Sequence, residues 1–503
     1  MKKILAIIVV LGAVLPSEAQ TINDVLRYGI EDLQGTARYQ SMSGAFGALG
    51  GDLSALNNNP AGSAVFNNGS FTISGTSYNT KNKTNYFDGN TSTDISDFDM
   101  NQLGGVFVFN NTGSGGGWNK FSLAFNYERV NNFENEFLAD GNSNRSIDSY
   151  FLSFAQGVPL GDMAIFNDEN IEDAYLDIGS SYGFGTQQAF LGYYGGIIDP
   201  LDPDNDNNTE YISNAAFDNT VRQRFFQSTS GYNNKFTVNM AGQFLDNLYL
   251  GASLNFHDVQ YEKYTQLDED GYSSESILRE ATFDNLLRTS GDAFSFSLGG
   301  IARISEMVRV GATYQSPTWY RLTDELSQRI GSNYEDDRIG YINFNQVNVY
   351  PDYKIHIPAK YTGSLALVFG QQGLISFDYS YQDMSNAKLK PTSDPVFAEE
   401  NDYMENTLEA VSSLRVGGEY RIERFSLRGG YRYEQSPYDS DRIGDLNGFS
   451  LGLGYDFGPT RIDAAFNQYQ RDYGSQLYEA GLTNTADIDA KNTNVTLSLT
   501  FNL

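Results

Sequence analysis

The sequence contains no cysteine and only two histidines, His257 and His356. The absence of thiols excludes both a disulfide framework and a thiolate metal site. Basic residues are also scarce, with 33 Lys and Arg against 63 Asp and Glu and a net charge of −30. This imbalance argues against nucleic acid as a partner. Beyond Leu15 no apolar run approaches the about 20 residues that a membrane helix requires, so any membrane span must consist of β-strands.

The N-terminal stretch MKKILAIIVVLGAVLPSEAQ has the pattern of a secretory signal peptide. Lys2 and Lys3 form a basic region, an apolar run follows, and the stretch SEA supplies the small residues of a cleavage site. The pattern predicts export and removal of residues 1–19, so that the mature chain begins at Gln20. A buried N-terminal helix is the alternative. No cysteine follows the cleavage position, which excludes a lipid anchor through cysteine.

Tyrosine and phenylalanine are abundant, at 34 residues each, and so is glycine, at 50. From about Ser70 onward, segments of about ten residues alternate in polarity, which is the length and period of a tilted membrane strand. In FSLAFNYE, which begins at Phe121, the aromatic and leucine side chains fall on one face and the polar or small ones on the other. FSLGLGYDF, which begins at Phe449, behaves in the same way. A period of two, repeated this often, indicates strands and not helices.

The links between these segments alternate between very short and very long. Short polar links include Asp246-Asn247 and Glu423-Arg424, whereas long polar connections include 131–230 and 265–289. Tight turns at one end and long loops at the other are typical of an outer-membrane barrel with periplasmic turns and extracellular loops. The sequence therefore predicts an all-β fold, a monomeric transmembrane β-barrel of about 14 antiparallel strands over 70–503 in a Gram-negative outer membrane. A secreted β-sandwich or propeller is the alternative.

The segment 20–69 precedes the first predicted strand and lacks strand alternation. Its stretch GGDLSALNNNPAGSAVF is rich in small residues, which let one backbone approach another closely. Asn59-Pro60 favours a turn, and Pro60 disfavours helix at Asn59. A barrel of this width leaves a lumen that the side chains of the wall do not fill. We therefore expect 20–69 to fold inside the barrel as a plug, or hatch.

The stretch ARYQSMSGAFGALGGDLSALNNNPAGSAVF resembles the N-terminal hatch of the FadL-type long-chain fatty acid transporters, with Asn59, Pro60 and Ala61 as the shared signature. The resemblance continues in RVGATYQSPTWYRL, in LRVGGEY and in LRGGYRYEQSPY, and it extends over nearly the whole mature chain. It implies a hatch-plugged barrel of fourteen strands. It also implies passive uptake of hydrophobic compounds, above all long-chain fatty acids, by a protein surrounded by outer-membrane lipid and lipopolysaccharide.

The mechanism that the resemblance implies has three stages: capture among extracellular loops, a pocket in the lumen, and hatch-gated exit sideways beside a kinked third strand. That strand corresponds to 121–130, where the alternation shows no bulge. Two alternatives stay open: a surface component of a protein secretion machine, or uptake of another hydrophobic ligand such as an aromatic hydrocarbon or haem. Scarce histidine argues against haem. No enzymatic activity and no cofactor are expected.

Charged residues occupy the inward face of two neighbouring strands in the C-terminal part of the chain. This polar ladder consists of Arg415, Glu419, Arg421, Arg428 and Arg432. Because guanidinium groups suit bidentate carboxylate binding, one interpretation is a guide for the head group of a fatty acid. The other is a salt-bridged network that braces the wall and grips the hatch, for instance through Asp52. The second is favoured here, since a buried arginine requires an acidic partner.

Two apolar stretches interrupt the long loops, SYFLSFAQGVPL and SESILREATFDNLL. The second has roughly helical spacing, as expected of an amphipathic loop helix over 274–287. One interpretation is an apolar capture surface at the barrel mouth, formed by Phe151, Leu152, Phe154, Leu278, Phe283 and Leu286. The other is packing of loop helices on one another.

Two further patterns predict no chemistry. The stretch 199–210 alternates acidic and amide residues that could hold Ca²⁺, but it lacks the glycine and the terminal glutamate of an EF-hand loop, so a solvated acidic loop is expected. GFSLG, at 448–452, matches G-x-S-x-G, yet Ser450 lies in the middle of a predicted strand and not at a strand-to-helix turn. Neither histidine lies in a triad context. The sequence thus predicts neither a catalytic residue nor a metal site.

Overall fold

The computed structural model describes residues 20–111, 117–166, 169–334, 337–340, 342–343, 345–438 and 442–503. The predicted signal peptide, 1–19, lies outside the described residues. Within them, fourteen strands form one closed wall. They are β1 (Ser70–Tyr86), β2 (Gly89–Asn110), β3 (Trp118–Asn132, continued by Asn135–Ser143), β4 (Val221–Phe244), β5 (Leu248–Asp270), β6 (Leu278–Arg303), β7 (Val308–Gln315, continued by Thr318–Tyr334), β8 (Tyr353–Ile357, continued by Lys360–Phe369), β9 (Gly373–Asp383), β10 (Ala410–Ile422), β11 (Phe425–Glu434), β12 (Leu446–Asp456), β13 (Thr460–Gln476) and β14 (Thr485–Asn502).

Each strand pairs antiparallel with the next along the chain, and the last strand closes on the first. The β14–β1 ladder runs from Ser70↔Asn502 to Asn85↔Asp487. Closure leaves no free sheet edge, which a membrane-spanning sheet requires because lipid cannot satisfy exposed backbone groups. The predicted fourteen-stranded transmembrane barrel is confirmed.

The alternation of side chains sorts apolar residues to the outside of the wall. On β12, Phe449, Leu451 and Leu453 are 45%, 56% and 59% exposed, whereas Ser450 between them is 1% exposed. The neighbouring strands repeat this pattern and build an outward apolar band. Such a band is stable only against lipid, because an exposed apolar surface of this size would be unfavourable in water.

β7 and β8 are each interrupted once by a proline. Pro317 separates the two parts of β7, and Pro358 separates those of β8. Proline has no N–H to donate to a ladder, so its position in a strand interrupts the pairing. The two interruptions adjoin each other, since β7 and β8 are paired on both sides of them.

Several strands extend further beyond the membrane than the alternation predicts. The predicted loop 131–230 is wrong at both ends, because β3 continues to Ser143 and β4 begins at Val221. The loop predicted at 265–289 is also too long, since β5 ends at Asp270 and β6 begins at Leu278, which leaves only 271–277 between them. Outside the membrane the outer face of a strand meets water, so polar residues occupy both faces and the apolar alternation that marks a membrane strand disappears.

The helix expected over 274–287 is also wrong. Leu278, Phe283 and Leu286 belong to β6. Leu278 and Phe283 are buried, because the interior of the barrel at this height is filled by extracellular segments instead of water. Because inward-facing residues at this height are apolar, β6 lacks here the alternation of outward apolar and inward polar residues that marks a membrane strand.

The residues that precede β1 lie inside the barrel. They form α1 (Ile22–Gly29), α2 (Ala37–Gln40) and two 3₁₀ helices, Ser54–Asn57 and Pro60–Val65, and nearly all of 36–64 is buried. The hatch that the sequence predicts for the lumen is therefore present. Asn59 has extended backbone angles (φ −153°, ψ 113°) immediately before Pro60, as the proline predicts.

Further helices lie at the extracellular end. α3 (Asp148–Ala155), α4 (Ile171–Tyr182) and α5 (Phe184–Tyr194) follow β3, and α6 (Pro395–Thr407) lies between β9 and β10. α3 to α5 pack into a buried cluster with the upper ends of the wall, which includes Phe137, Phe225 and Phe283. Short strands at Asp337–Gly340, Asn348–Val349 and Lys388–Lys390 extend the sheet locally. No helix of the described part of the chain is long and apolar enough to cross a membrane.

Glycines of the wall permit the hatch to lie directly against it. A Cβ at Gly311 on β7 would stand 2.3 Å from the carbonyl oxygen of Gly47, and a Cβ at Gly299 on β6 would stand 2.2 Å from Asn59 Oδ1. Any other residue at these two positions would collide with the backbone of the hatch or with its anchoring amide. The position of the hatch thus depends on the absence of side chains in the wall.

We predict that Gly311→Leu loosens the hatch, because the added side chain must displace the backbone at Gly47. Overpacking of this kind costs about 1–3 kcal/mol. The measurement is single-channel conductance in planar bilayers, which we expect to be higher and noisier than that of the native protein. Gly363→Leu is the matched control, since Gly363 has no heavy atom within 4 Å of its Cβ position. Equal conductance of the two variants would contradict close packing of hatch and wall.

Candidate functional site: hatch, lumen cavity and wall break

The Asn-Pro-Ala signature fastens the hatch to itself and to the wall. Asn59 Oδ1 accepts a hydrogen bond from the N–H of Ala61 at 3.0 Å and so caps the second 3₁₀ helix. Asn59 Nδ2 donates to the carbonyl oxygens of Gly47 at 2.8 Å and of Gly300 on β6 at 3.0 Å. The Pro60 carbonyl accepts a hydrogen bond from Asn239 Nδ2 on β4 at 2.8 Å. Since every polar atom of Asn59 has a partner, the asparagine has a structural role here.

Asp378 on β9 is a second anchor. Its Oδ2 accepts hydrogen bonds from the N–H groups of Phe46 and Gly47, both at 2.9 Å, and from Asn58 Nδ2 at 2.8 Å. A buried carboxylate stabilised by two backbone amides and a side-chain amide holds this turn of the hatch at one height in the lumen. Removal of the carboxylate would leave the N–H of Gly47 buried without a partner, because Phe46 N and Asn58 Nδ2 also donate to the carbonyl of Gly44.

The polar ladder divides into two parts, of which the first is an ion-pair network. Glu419 accepts from Arg38 Nε of the hatch at 3.0 Å and from Arg428 Nε at 2.7 Å, and Arg421 Nη2 lies 2.5 Å from it. Arg428 also pairs with Asp463 on β13 at 2.7 Å. Arg38 therefore links the hatch to β10, β11 and β13. Asp52, which the sequence suggests as the grip, instead accepts hydrogen bonds within the hatch, from Thr36 Oγ1 and Ser54 N.

The second part of the ladder consists of Arg415 and Arg432, which lie outside this network. They are direct partners across the β10–β11 ladder. Among the described residues neither has a carboxylate oxygen within 4.0 Å, and Arg415 Nε and Arg432 Nη1 are buried without a hydrogen-bond partner. Arg415 Nη1 reaches Tyr39 Oη at 3.4 Å, and the Arg432 guanidinium lies 5.5 Å from the ring centre of Tyr469. Two like charges therefore face each other with N–H donors that have no partner, and the carboxylate of Glu434 offsets part of their repulsion.

Arg432 lines a cavity of about 240 Å³ in the lumen. Its wall combines polar side chains with tyrosine rings and includes Asp32, Gln34, Tyr78, Asn135, Tyr469, Arg471 and Tyr473. Arg471 is paired with Glu434 at 2.9 Å, so that Arg432 contributes the unpaired cation. The arrangement suits a ligand that presents an anionic or strongly polar group to Arg432 and lays an uncharged part along the rings.

Two carboxyl groups of the hatch lie beside these cations. Burial would raise the pKa of Glu31, but Lys360, whose Nζ lies 2.6 Å away, and Lys235 hold it below its usual range. Burial raises the pKa of Asp32 to about 6, against the opposing effect of Arg432. Glu31 therefore stays ionised, whereas Asp32 loses its charge in mildly acidic solution.

The wall is incompletely paired between β2 and β3. Their ladder runs from Asn110↔Lys120 to Gln102↔Glu128 and ends there, although β2 extends back to Gly89. Both strands are irregular at this height. The pairing of β2 with β1 changes register between Ser74 and Thr76 of β1. The pairing of β3 with β4 changes register between Arg129 and Asn131 of β3. Bulges of this kind bend a strand and end its pairing, and the second falls in the third strand, where the kink is expected.

Side chains bridge this break. Arg129 Nη2 lies 2.5 Å from Asp99 Oδ2, and Asn132 Nδ2 donates to Asp97 Oδ2 at 3.2 Å. A bridge of side chains can open by rotation about side-chain bonds, whereas a backbone ladder opens only if the strands separate. The break is therefore the part of the wall between β2 and β3 that can widen at the lowest cost.

The hatch lies directly behind the break. Asp32 N donates to the Val130 carbonyl at 3.2 Å, and Asn131 Nδ2 donates to the Ile30 carbonyl at 2.8 Å. Asn101 Nδ2 of β2 donates to the Gly35 carbonyl at 2.8 Å. Residues 30–35 of the hatch thus connect the bulges of β2 and β3. Any displacement of this segment alters both sides of the break.

The apolar region of the upper lumen is occupied by α1. Ile22, Val25 and Leu26 are buried against Tyr353, Ile355 and other apolar side chains of β7, β8 and α6. Next to the start of α1, a cleft of about 390 Å³ is lined by Gln20, Thr21, Glu400 and Tyr403. This cleft leads from the extracellular segments to the first turn of the hatch.

The residues predicted for an apolar capture surface lie in a packed core. Phe151, Phe154, Leu278 and Phe283 are buried in the extracellular cluster, and Leu152 packs against it. Leu286 is half-buried on β6. The structure brings most of these residues together, but beneath the extracellular helices and not on an open surface. Their arrangement fits the packing interpretation of the sequence.

The remaining sequence patterns lie on an exposed loop and on strands of the wall. The acidic stretch 199–210 connects two short strands, Ile198–Pro200 and Tyr211–Ser213, and is mostly exposed. No group of three or more His, Asp or Glu side chains in the described residues is placed to hold a metal ion. Ser450 lies in the middle of β12, and its Oγ is 2.9 Å from that of Ser43 in the hatch. His257 Nδ1 is 2.9 Å from Asn233 Oδ1.

A closed fourteen-stranded barrel with an apolar outer band, a hatch in the lumen and an incompletely paired wall defines a class of outer-membrane transport protein. The sequence model of the outer membrane protein transport protein family (OMPP1/FadL/TodX) matches residues 207–503, more than half of the chain. The chain belongs to this family, and it is an outer-membrane protein.

Solved structures of the same fold include a Pseudomonas aeruginosa FadL homologue, with a TM-score of 0.53, 13% identity and coverage of 94% of this chain and 99% of that one. The Pseudomonas putida toluene transporter TodX gives a TM-score of 0.50 and 13% identity over 94% of this chain and 100% of that one. A monosaccharide porin of a Halomonas species is 26% identical over 222 residues, which is 44% of this chain and 51% of that protein. The chain thus spans about half the length of the curated relatives it matches.

Sequence reasoning missed several residues of the site, among them Arg38, Asp463 and Arg471. Arg38 and Asp463 complete the ion-pair network, and Arg471 lines the lumen cavity. Asp463 and Arg471 were detectable, because both occupy inward positions of β13, a strand that follows the ladder strands in the sequence. Arg38 gave no signal, since the conformation of the hatch does not follow from any sequence period.

Proposed function

We propose that the protein takes up amphipathic hydrophobic compounds passively, above all long-chain fatty acids. The observation that carries this proposal is the Arg415–Arg432 pair, two opposed guanidinium groups with unpaired N–H donors. Arg432 lines the lumen cavity of about 240 Å³, and Arg415 lines two smaller cavities. A carboxylate that enters the cavity supplies the missing partner and offsets the repulsion between them.

Several features favour a carboxylate over an uncharged ligand. A monoaromatic hydrocarbon has no acceptor for Arg432 and would leave its Nη1 unpaired. The ion-pair network further down the ladder illustrates how this lumen binds carboxylates, with Glu419 held by three arginines. Aliphatic and aromatic side chains at the same cavity, such as Ile30, Leu446 and Tyr469, provide the surface for an acyl chain.

The route that we propose begins at the extracellular cleft and ends at the wall break. α1 fills the apolar part of the upper lumen, so an acyl chain enters only as α1 shifts. That shift is transmitted to residues 30–35, which contact both bulges beside the break. In this proposal the segment 20–69 is the hatch, and the movement of its residues 20–35 couples ligand entry to opening between β2 and β3.

One prediction of the proposed function concerns Arg432. Arg432→Met removes a charge-assisted hydrogen bond of about 1.5–3 kcal/mol, so we expect the affinity for oleate to fall by about tenfold to a hundredfold. The measurement is equilibrium binding of labelled oleate to protein in lipid nanodiscs. Arg424→Met, in the exposed turn after β10, is the matched control and should retain native affinity.

The matched ligand for this test is methyl oleate, which has the same chain and no anionic group. We expect native protein and Arg432→Met to bind methyl oleate with equal affinity. If Arg432→Met binds oleate as tightly as native protein does, the assignment of the head group fails. Saturable binding of toluene but not of oleate would favour a hydrocarbon channel, and stable co-purification with partner proteins and no bound lipid would favour a secretion role.

Another prediction of the proposed function concerns the wall break. The natural chain has no cysteine, so Asp99→Cys and Arg129→Cys can be joined specifically by a short bifunctional methanethiosulfonate reagent. We expect the joined protein to stop oleate uptake in cells and to regain it after reduction, because the bridge no longer opens. The control joins Phe107→Cys to Leu123→Cys, a pair within the intact ladder. Unchanged uptake after joining across the break would exclude exit between β2 and β3.

A further inference from the structure

An amphipathic cavity lies at the periplasmic face of the hatch, separate from the lumen cavity at Arg432. It has a volume of about 310 Å³ and borders the tight turn between β8 and β9, at Gly370 and Gln371. Four arginines line it, Arg38, Arg309, Arg421 and Arg461. Tight turns mark the periplasmic end of an outer-membrane barrel, so this cavity opens toward the periplasm.

The positive charge around this cavity exceeds the negative charge. Together with Arg428 behind them, the lining arginines number five, and they share two carboxylates, those of Glu419 and Asp463. None of the described residues that line the cavity is acidic. Asp52 of the hatch also acts electrostatically on Arg38, so five arginines face three carboxylates. The remaining surplus of two positive charges is unusual in a chain whose net charge is −30.

Arg309 accounts for one of these surplus charges. Its Nη1 donates to the carbonyl of Leu49 at 3.2 Å, and its Nε is buried without a hydrogen-bond partner. Among the described residues it has no carboxylate oxygen within 4.0 Å. Its side chain, which is only partly buried, therefore lines the cavity without an acidic partner.

The rest of the cavity is aliphatic. Leu49 and Val65 of the hatch and Val368 and Leu374 of the wall contribute to its lining. A cluster of guanidinium groups beside an aliphatic surface suits a molecule with a carboxylate at one end and an alkyl chain at the other.

We propose that this cavity is a second carboxylate site, which binds an aliphatic monocarboxylate from the periplasmic side of the hatch. The two internal carboxylates show the binding mode, since Glu419 and Asp463 are each held by two or more arginines. The carboxylate of a bound ligand would be a third one beside Glu419 and Asp463, and it would give Arg309 an acidic partner. The site is distinct from the head-group site of the proposed function and does not depend on it.

The test uses hexanoate labelled with ¹³C at the carboxyl carbon, titrated against native protein in nanodiscs and followed by the carboxyl resonance. We expect saturable binding that weakens by about tenfold or more in Arg309→Gln, because one charge-assisted hydrogen bond is lost. Arg424→Gln is the matched control, an exposed arginine of a nearby turn that does not line the cavity. Heat-dependent gel mobility verifies that each barrel is folded.

Arg461→Gln is a second variant that should also weaken binding, and it leaves Asp463 paired with Arg428. Arg432→Met separates the two sites, and we expect it to retain the hexanoate signal. Loss of the signal in Arg432→Met alone would place hexanoate in the lumen cavity and overturn this inference while supporting the proposed function. Unaltered binding in Arg309→Gln, or saturable binding of hexanol in place of hexanoate, would also overturn it.

Discussion

A peptide segment enclosed in a barrel must have its buried polar groups paired, and the structure depends on how the wall supplies those partners to the hatch. Asp378 accepts two backbone N–H groups and an amide, Asn59 bonds to β6, and Arg38 reaches Glu419. Glycines at the contact let the two backbones meet. The lower part of the hatch is consequently held to the wall by these bonds. The movement that the proposed function requires therefore falls to the upper residues, 20–35, which face the lumen cavity and the wall break.

The division of the polar ladder follows from the same requirement. Where carboxylates accompany the arginines, as at Glu419 and Asp463, the charges are paired and the network joins hatch to wall. Where no carboxylate accompanies the arginines, as at Arg415 and Arg432, N–H groups of the guanidinium have no hydrogen-bond partner, and Arg432 lines a cavity. Buried ion pairs contribute little net stability but cost several kcal/mol, about 3–5, when one partner is removed. A structural network and a ligand site can therefore share one ladder, since only the unpaired members gain from an incoming anion.

The membrane part of the fold could be predicted from the sequence, because lipid imposes apolar side chains on alternate residues of strands such as 449–457. The hatch location was predictable from its small residues and its Asn-Pro-Ala signature. The extracellular strand ends and the strand at 278–287 were not, since no lipid acts on them and the period of two is lost. The bulge at Arg129–Asn131 was also hidden, because a bulge depends on the pairing of two strands and leaves little trace in either one. The sequence predicted that the ladder residues face inward. It did not predict which arginines lack a carboxylate partner, because that depends on the position of Arg38 in the hatch and on the register of β10 and β11.

The most direct measurement is hydrogen exchange of the hatch in native protein embedded in lipid nanodiscs. If wall groups satisfy the hatch as described, the amides of 37–64 exchange as slowly as those of the barrel strands, and the amides of 22–35 exchange faster. Exchange of 37–64 within seconds, at the rate of the exposed stretch 201–207, would contradict the account, because it would place the hatch outside the lumen or leave it without stable partners.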